Sequence, residues 1–272
     1  MLKCLAIIAL LLSTTAVFSE QRAALVIGND NYDHLPDLTK AVNDARAMGT
    51  AFSDLGYDVT TGTDLNLKSL SAIVQKFSAS LSKDSTAVVY VASHGLSVAG
   101  TQYFVPIDVS ESAAKLLEEL LASSVNFDGF LEELGKSKAS NLVVIFDSCR
   151  NNPFQKATRS LSQVSDYKKN IALMFSSAPG ACPFESVNSA DTSPTSPFVR
   201  FLVEELKNPG VTLAAINSKI RLRLFETGLD QQPWYQESST SEIILNPNRQ
   251  AESLPTQFLC GSKTATQFSA SI

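Results

Sequence analysis

Four stretches of the chain are almost continuously apolar and rich in β-branched residues: residues 23–27, 86–92, 142–146 and 171–175. Runs of this kind predict strands buried on both faces of a parallel sheet, because a strand with one face in water alternates apolar and polar residues. Shorter extended pieces at residues 57–60 and 242–245 predict two further strands.

Apolar residues at helical spacing lie between and after these runs. Three stripes, over residues 41–55, 67–81 and 213–224, repeat at i, i+3 and i+4 and predict amphipathic helices that cover the sheet. The alternation of strand and helix predicts an α/β fold with a mostly parallel central sheet. One domain over residues 22–247 accounts for all of these elements.

The first 19 residues have the features of a secretory signal peptide. Lys3 gives a positive start, residues 5–12 are apolar, and Val17 and Ser19 are small residues at a cleavage motif. We expect cleavage after Ser19 and export to the periplasm or beyond, without stable membrane association afterwards; an uncleaved anchor is the alternative. Residues 248–272 are polar and predict a poorly ordered tail.

The composition excludes several functions. With 22 basic and 27 acidic residues the net charge is −5, which argues against a nucleic-acid-binding face. Two histidines cannot build a His-rich metal site, and the four cysteines include no CxxC pair, so we expect no metal and no cofactor. The first predicted strand ends at Gly28-Asn29-Asp30 and not in a glycine-rich phosphate loop, which argues against a nucleotide-binding protein.

The cysteines left after signal removal are odd in number. They are Cys149, Cys182 and Cys260. An odd count in an exported protein implies a free thiol or an intermolecular bond. Cys182 and Cys260 could pair in an oxidising compartment, and Cys149 is then the thiol expected to be free.

Two predicted strands run directly into residues that can carry chemistry. Residues 86–92 lead into Ser93-His94-Gly95, and residues 142–146 lead into Asp147-Ser148-Cys149. Neighbouring strands lie about 5 Å apart, so adjacency would place an imidazole and a thiol at one crevice. Such a pair is suited to nucleophilic catalysis, with the backbone N–H groups of Gly95 and Cys149 as candidates for an oxyanion hole. Each residue alone could equally be structural.

The sequence resembles the caspase-like cysteine peptidases of clan CD, family C14, and in particular bacterial caspase-domain proteins related to metacaspases. The resemblance covers most of the chain after the signal. The motifs that carry it are residues 24–29, 41–45, 93–95, 103–106, 147–154, 177–180, 196–198 and 232–234. It implies a three-layer α/β/α sandwich, with Cys149 as nucleophile and His94 as general acid–base.

The resemblance also implies a primary specificity pocket. Asp147 would lie at its base and favour polypeptide substrates with Arg or Lys before the cleaved bond; the alternative is that Asp147 caps the following turn. Asp30 is a second candidate acid for this pocket, and Ser176 and Ser177 are candidates for contacting the substrate backbone.

Departures from the family pattern limit what is carried over. Residues 186–195 replace a segment rich in Asp and Gly, so specificity beyond the primary pocket is not predicted, and no acidic cluster predicts calcium binding. Basic residues in the polar stretch 155–170 make it a candidate for autocleavage. A catalytically silent module that binds peptides or partners is the alternative function, although it would need neither Cys149 nor His94.

Overall fold

The computed structural model describes residues 20–151 and 170–247. The predicted signal peptide, the tail 248–272 and nearly all of the candidate cleavage segment lie outside the described residues. In chain order the elements are β1 Arg22–Gly28, α1 Ala41–Asp54, β2 Asp58–Thr63, α2 Leu67–Ser80, β3 Thr86–Ala92, β4 Gly95–Val98, β5 Thr101–Phe104, α3 Leu117–Ser123, β6 Val125–Asn126, α4 Phe127–Gly135, β7 Asn141–Asp147, β8 Asn170–Phe175, α5 Pro197–Leu206, α6 Leu213–Glu226 and β9 Trp234–Glu237.

A six-stranded sheet in the order β2-β1-β3-β7-β8-β9 forms the centre of the fold. Its first five strands are parallel, and β9 pairs antiparallel with β8 at the edge. This confirms the predicted α/β fold with a mostly parallel sheet. The expected adjacency of the two chemistry-bearing strands is also found, because β3 and β7 pair in parallel from Thr86↔Asn141 to Ala92↔Asp147.

The sheet is buried on both faces. Alternate residues of β3 divide between two apolar clusters: Val88, Tyr90 and Ala92 face α1, α5 and α6, whereas Ala87, Val89 and Val91 face α2 and α4. Every residue of β3 is therefore buried. This explains why the strand runs are continuously apolar and not alternating.

A smaller sheet of β4, β5 and β6 lies beyond the carboxyl end of β3. It is antiparallel, and Leu96 and Val105 contribute to a third apolar cluster beside it. Apart from the strand that the family resemblance implies at residues 103–106, which overlaps β5, this sheet and helices α3, α4 and α5 were not predicted from the sequence. The predicted helices correspond to α1, α2 and α6.

The strand predicted at residues 242–245 is wrong. Ile243 and Leu245 alternate as in a strand, but both side chains pack into the cluster under α6. The backbone of this segment bonds elsewhere, since the Ile243 carbonyl accepts from the N–H of Leu213 at 2.8 Å. The edge position beside β8 is taken by β9. Within the two described ranges, no helix combines the length and the apolar character needed to span a bilayer.

Candidate active site

The ends of β3 and β7 bring the predicted pair to one place. The strands end level with each other at Ala92 and Asp147, and the N–H of Ser93 donates to the Asp147 carbonyl at 3.4 Å. His94 and Cys149, two residues past these ends, both line the same cavity. The parallel register therefore places an imidazole and a sulfur at a common edge of the sheet, as the sequence predicted.

The loop after β1 orients the His94 ring. Its Nε2 lies 2.7 Å from the carbonyl oxygen of Pro36, and a carbonyl can only accept, so Nε2 carries the proton and Nδ1 is the basic nitrogen. The Tyr32 hydroxyl accepts the backbone N–H of His94 at 2.8 Å, and the two rings lie 4.6 Å apart. Pro36 thus determines the tautomer of the imidazole.

The Cys149 segment is held by neighbours on both sides. Gln102 of β5 donates its Nε2 to the Cys149 carbonyl at 2.9 Å, and the N–H of Ser97 donates to the Asn151 carbonyl at 2.9 Å. Below the segment, the Arg150 guanidinium stacks 3.9 Å from the Phe175 ring centroid, and burial lowers the Arg150 pKa to about 10. These contacts fix the backbone of the candidate nucleophile.

Gly95 allows the two candidate catalytic segments to approach each other. A Cβ at this position would lie 2.7 Å from Ser148 Cβ and 2.8 Å from the Cys149 carbonyl oxygen, closer than real side chains come. Only glycine fits there without a shift of the backbone. The residues predicted to supply the oxyanion hole, Gly95 and Cys149, therefore belong to segments in direct contact.

Cys149 forms a disulfide with Cys182. The expectation of a free Cys149 and the suggested Cys182–Cys260 pairing are therefore wrong for this structure. The physical reason is local: the N–H of Arg150 donates to the Ala181 carbonyl at 2.7 Å and the N–H of Gly180 donates to the Arg150 carbonyl at 2.9 Å. This pairing aligns the two segments so that the cysteine Cα atoms lie 4.0 Å apart.

Three carboxyl groups line the same cavity: Asp44, Asp147 and Glu185. Asp147 is buried beneath it, with the Tyr90 hydroxyl donating to Oδ2 at 2.9 Å. Asp44 comes from α1, and its Oδ1 accepts the N–H of Ser196 at 2.8 Å. Among the described residues that line the cavity, Lys40 supplies the one ammonium group, and its Nζ donates to the Ser186 hydroxyl at 2.9 Å.

Burial raises the pKa of both aspartates. For Asp147, loss of solvent is the largest effect on the pKa, the Ser176 and Tyr90 hydroxyls oppose it, and the charge of Glu185 raises the pKa further. For Asp44, burial is again largest, the charge of Asp147 raises the pKa further, and Ser196 and Lys40 lower it. A buried carboxyl whose proton affinity is raised by the charge of a neighbouring carboxyl belongs to a site that an added cation would stabilise.

The remaining predicted pocket residues do not line the cavity. Burial raises the pKa of Asp30, whose carboxyl faces the backbone N–H groups of Val42 and Ala41 at the start of α1. Ser176 and Ser177 are fully buried. Their proposed contact with substrate is therefore corrected: the Ser177 hydroxyl donates to the Ala181 carbonyl, so it braces the loop after β8 from inside.

Asp44, Glu185, Pro36 and Gln102 were missed as site residues. Asp44 had a signal in the sequence, because an acid stands among the apolar residues of the buried stripe of α1, next to Ala45. The other three had none: Pro36 acts through its carbonyl, Gln102 lies on a four-residue strand, and Glu185 lies on an irregular connection. Over residues 20–151 and 170–247, no group of three or more His, Cys, Asp or Glu side chains could hold a metal ion.

Comparison with known proteins identifies the fold and the family. The family Peptidase_C14, described as caspase domain, matches residues 21–244. The crystal structure of caspase-1 from Spodoptera frugiperda superposes with a TM-score of 0.61 at 14% identity, over 85% of this chain and 91% of that chain. This likeness confirms the expected caspase-like sandwich.

One curated relative matches at the sequence level. It is human mucosa-associated lymphoid tissue lymphoma translocation protein 1, which is 24% identical over 194 residues, or 71% of this chain. The match spans 23% of the relative's own length. What that whole protein does is therefore not carried over to this chain.

Proposed function

The chain belongs to the Peptidase_C14 caspase domain family, and we propose that it is a cysteine endopeptidase that uses a His94–Cys149 dyad and cleaves after Arg or Lys. One observation carries the proposal: a single cavity is lined by the imidazole of His94, by Cys149 and by three carboxyl groups. A nucleophile, a base and a cation-binding pocket are the parts that such a reaction needs.

The proposed reaction begins with Cys149 as a thiol. His94 Nδ1 takes its proton, and the thiolate attacks the carbonyl carbon of the scissile bond. The backbone N–H groups of Gly95 and Cys149 donate to the oxyanion that develops. The imidazolium then protonates the leaving amine, and water activated by the neutral ring hydrolyses the thioester. Pro36 supports these steps because its carbonyl keeps the Nε2 proton in place.

The charges of the cavity support a basic residue before the cleaved bond. Three carboxyl groups face one ammonium group, that of Lys40, so an entering cation gains charge-assisted hydrogen bonds and relieves repulsion between Asp44 and Asp147. An entering aspartate would be repelled by the same excess of carboxyl groups. Among the described contacts, no cationic side chain bonds to the buried Asp147. A cation supplied by the substrate would provide that missing partner.

The test is hydrolysis of fluorogenic peptides that differ only in the residue before the reporter: Arg, Lys, Gln or Asp. With a dithiol present, we expect Arg and Lys peptides to be cleaved at least about 100-fold faster than the Asp peptide, and Cys149→Ala to be inactive. Cys260→Ser is the matched control, since it removes a thiol remote in sequence from the dyad and should keep activity. Normal turnover by Cys149→Ala, or a preference for Asp, would refute the proposal.

A peptide-binding module without catalysis is the second candidate, and the disulfide favours it because Cys149 has no thiol in this state. Alkylation of the reduced protein separates the two. A peptidase should be labelled at Cys149 by iodoacetamide near neutral pH, because its thiolate is formed with the help of His94. A module that binds Arg peptides in calorimetry, leaves them intact and is not labelled would be the silent alternative.

Export is also proposed, on the sequence of residues 1–19 alone. The expected mature protein begins at Glu20. Amino-terminal sequencing of protein recovered from outside the cytoplasm tests this; recovery of the uncut chain with Met1 or Leu2 at its start would contradict it.

A further inference from the structure

We propose that Cys182 is a redox control site: it forms a reversible disulfide with Cys149 and keeps the peptidase inactive until a dithiol reduces it. This inference rests on the proposed function, because it assumes that Cys149 is the nucleophile. The observation behind it is direct, since the sulfur predicted to attack the substrate is bonded to Cys182. A sulfur in a disulfide has no thiolate with which to attack a carbonyl.

The disulfide is accessible to a reductant. Cys149 and Cys182 are both partly exposed, whereas their neighbours Ser148 and Arg150 are buried. Cys149 also lines the cavity in which a substrate would bind. The bond therefore joins two partly exposed residues and not two residues of the core, as thiol–disulfide exchange requires.

The contacts around the two cysteines favour reversibility. Backbone hydrogen bonds between Arg150 and Ala181 and between Gly180 and Arg150 join the two segments independently of the sulfurs. The Arg150 guanidinium also donates to the Ser177 carbonyl at 3.3 Å. After reduction these bonds keep the two thiols near each other, so the disulfide can form again without a search for its partner.

The same bond fixes one wall of the specificity pocket. Cys182 is followed directly by Pro183, Phe184 and Glu185, which all line the cavity. The N–H of Phe184 donates to Gln231 Oε1 at 3.0 Å, so the wall has a second attachment that does not depend on sulfur. Reduction should therefore free the nucleophile while the pocket remains in place.

The exchange balances with one dithiol per disulfide. A thiolate of the dithiol attacks Cys182 Sγ, the Cys149–Cys182 bond breaks, and Cys149 leaves as a thiolate that takes up the released proton. The second thiol then attacks the mixed disulfide and releases Cys182. Two electrons pass from the dithiol, which becomes a cyclic or linked disulfide, to the two cysteines, which both become thiols.

The experiment compares full-length protein carrying Cys260→Ser with the double variant Cys182→Ser, Cys260→Ser. Both are purified without reductant and assayed on an Arg peptide with and without dithiothreitol, and non-reducing peptide mapping locates the disulfide. We expect the Cys260→Ser protein to gain at least about 100-fold in rate with dithiothreitol. The double variant should be active in both conditions, within about twofold.

Each other outcome overturns the inference in a recognisable way. Two results would refute redox control without refuting peptidase activity. The first is full activity without dithiothreitol while the map shows the Cys149–Cys182 disulfide. The second is cleavage by a protein whose map shows no such disulfide. If neither protein cleaves under any condition although the disulfide forms and is reduced, the proposed function itself fails, and control of a peptidase fails with it.

Discussion

The cavity has two walls of different construction. One wall comes from regular elements, in that His94 and Cys149 follow the buried strands β3 and β7 and Asp44 lies on α1. The other wall is the irregular segment 183–185, where Phe184 and Glu185 are exposed. The Glu185 carboxylate attaches this segment to Thr39, accepting from the Thr39 N–H at 3.1 Å and from the Thr39 hydroxyl at 2.7 Å.

This difference separates two tasks. Residues that perform chemistry must be held within a few tenths of an ångström, and buried parallel strands in register provide that precision. A wall that is proposed to contact only the substrate side chain tolerates more movement. For protein assayed with a dithiol, we therefore expect large effects from changes at the strand ends and small effects from changes in segment 183–185.

The largest effect is expected for His94→Ala. Loss of the proposed general acid–base should lower kcat about 10²- to 10⁴-fold while KM for an Arg peptide stays nearly constant, because the substitution leaves the proposed specificity pocket intact. Steady-state kinetics measures both constants. A loss confined to KM would mean that His94 contributes to binding and not to proton transfer.

Gly95→Ala should have the next largest effect. Its Cβ would lie 2.8 Å from the Cys149 carbonyl oxygen, so the nucleophile segment must shift, and we expect about a 100-fold loss of kcat/KM. Gly129→Ala is the matched control. A Cβ there meets no atom of the described residues within 4 Å, so activity should stay within about twofold and the helix should gain about 0.5–1 kcal/mol. Wild-type activity in Gly95→Ala would show that the segments can separate freely.

Asp44→Asn should lower kcat/KM for Arg peptides about 10-fold and change its pH dependence. Burial raises the pKa of Asp44 above its ordinary value of 3.8, so the carboxyl becomes neutral at a higher pH than an exposed aspartate. In the wild type, KM for Arg should therefore rise as the pH is lowered, and it should rise less for Gln. A pH profile unchanged by the substitution would contradict the role of Asp44.

The stability of Asp44→Asn serves as a check on folding. A carboxyl with a raised pKa in the folded state makes ionisation unfavourable there, so its contribution to stability falls as the pH rises above 3.8. An asparagine removes that cost and can still accept the Ser196 N–H. The thermal midpoint at neutral pH should therefore equal or exceed that of the wild type.

Glu185→Gln should have the smallest effect. Its carboxyl is exposed and screened by water, so we expect a two- to fivefold rise in KM for Arg and little change in kcat. Steady-state measurements at low and high salt should show the difference shrinking as salt rises. An effect larger than that of Asp44→Asn would reverse the assignment of the two walls.

The strand-end wall is the part that the sequence predicts well. Continuous apolar runs exist because β3 and β7 are buried on both faces, and strand ends of a parallel sheet meet at one edge, so the sequence alone is enough to place His94 and Cys149 together. Asp44 could in principle also have been predicted as a site residue. An acid on the buried face of α1 is costly unless it has a task or a partner.

Segment 183–185 was not predictable, for a physical reason. Its position depends on the pairing of Arg150 with Gly180 and Ala181, which follows no periodic pattern. It also depends on side-chain bonds far away in sequence, between Glu185 and Thr39 and between the adjacent Ser186 and Lys40. Likewise, the number of cysteines predicts that one thiol is left over, but it does not predict which cysteines form a disulfide. The wrong strand at residues 242–245 has the same origin, because alternation alone does not say whether a segment pairs with a sheet.

The Cys149–Cys182 bond has a consequence for the chemistry of the chain itself. It closes a ring of the backbone with a sequence separation of 33, and that ring contains Lys156, Arg159, Lys168 and Lys169. A cut after any of these residues would add the mass of one water and release no fragment, since the two new chains stay joined through sulfur. A nicked molecule would therefore migrate as a single band until its cross-link is opened.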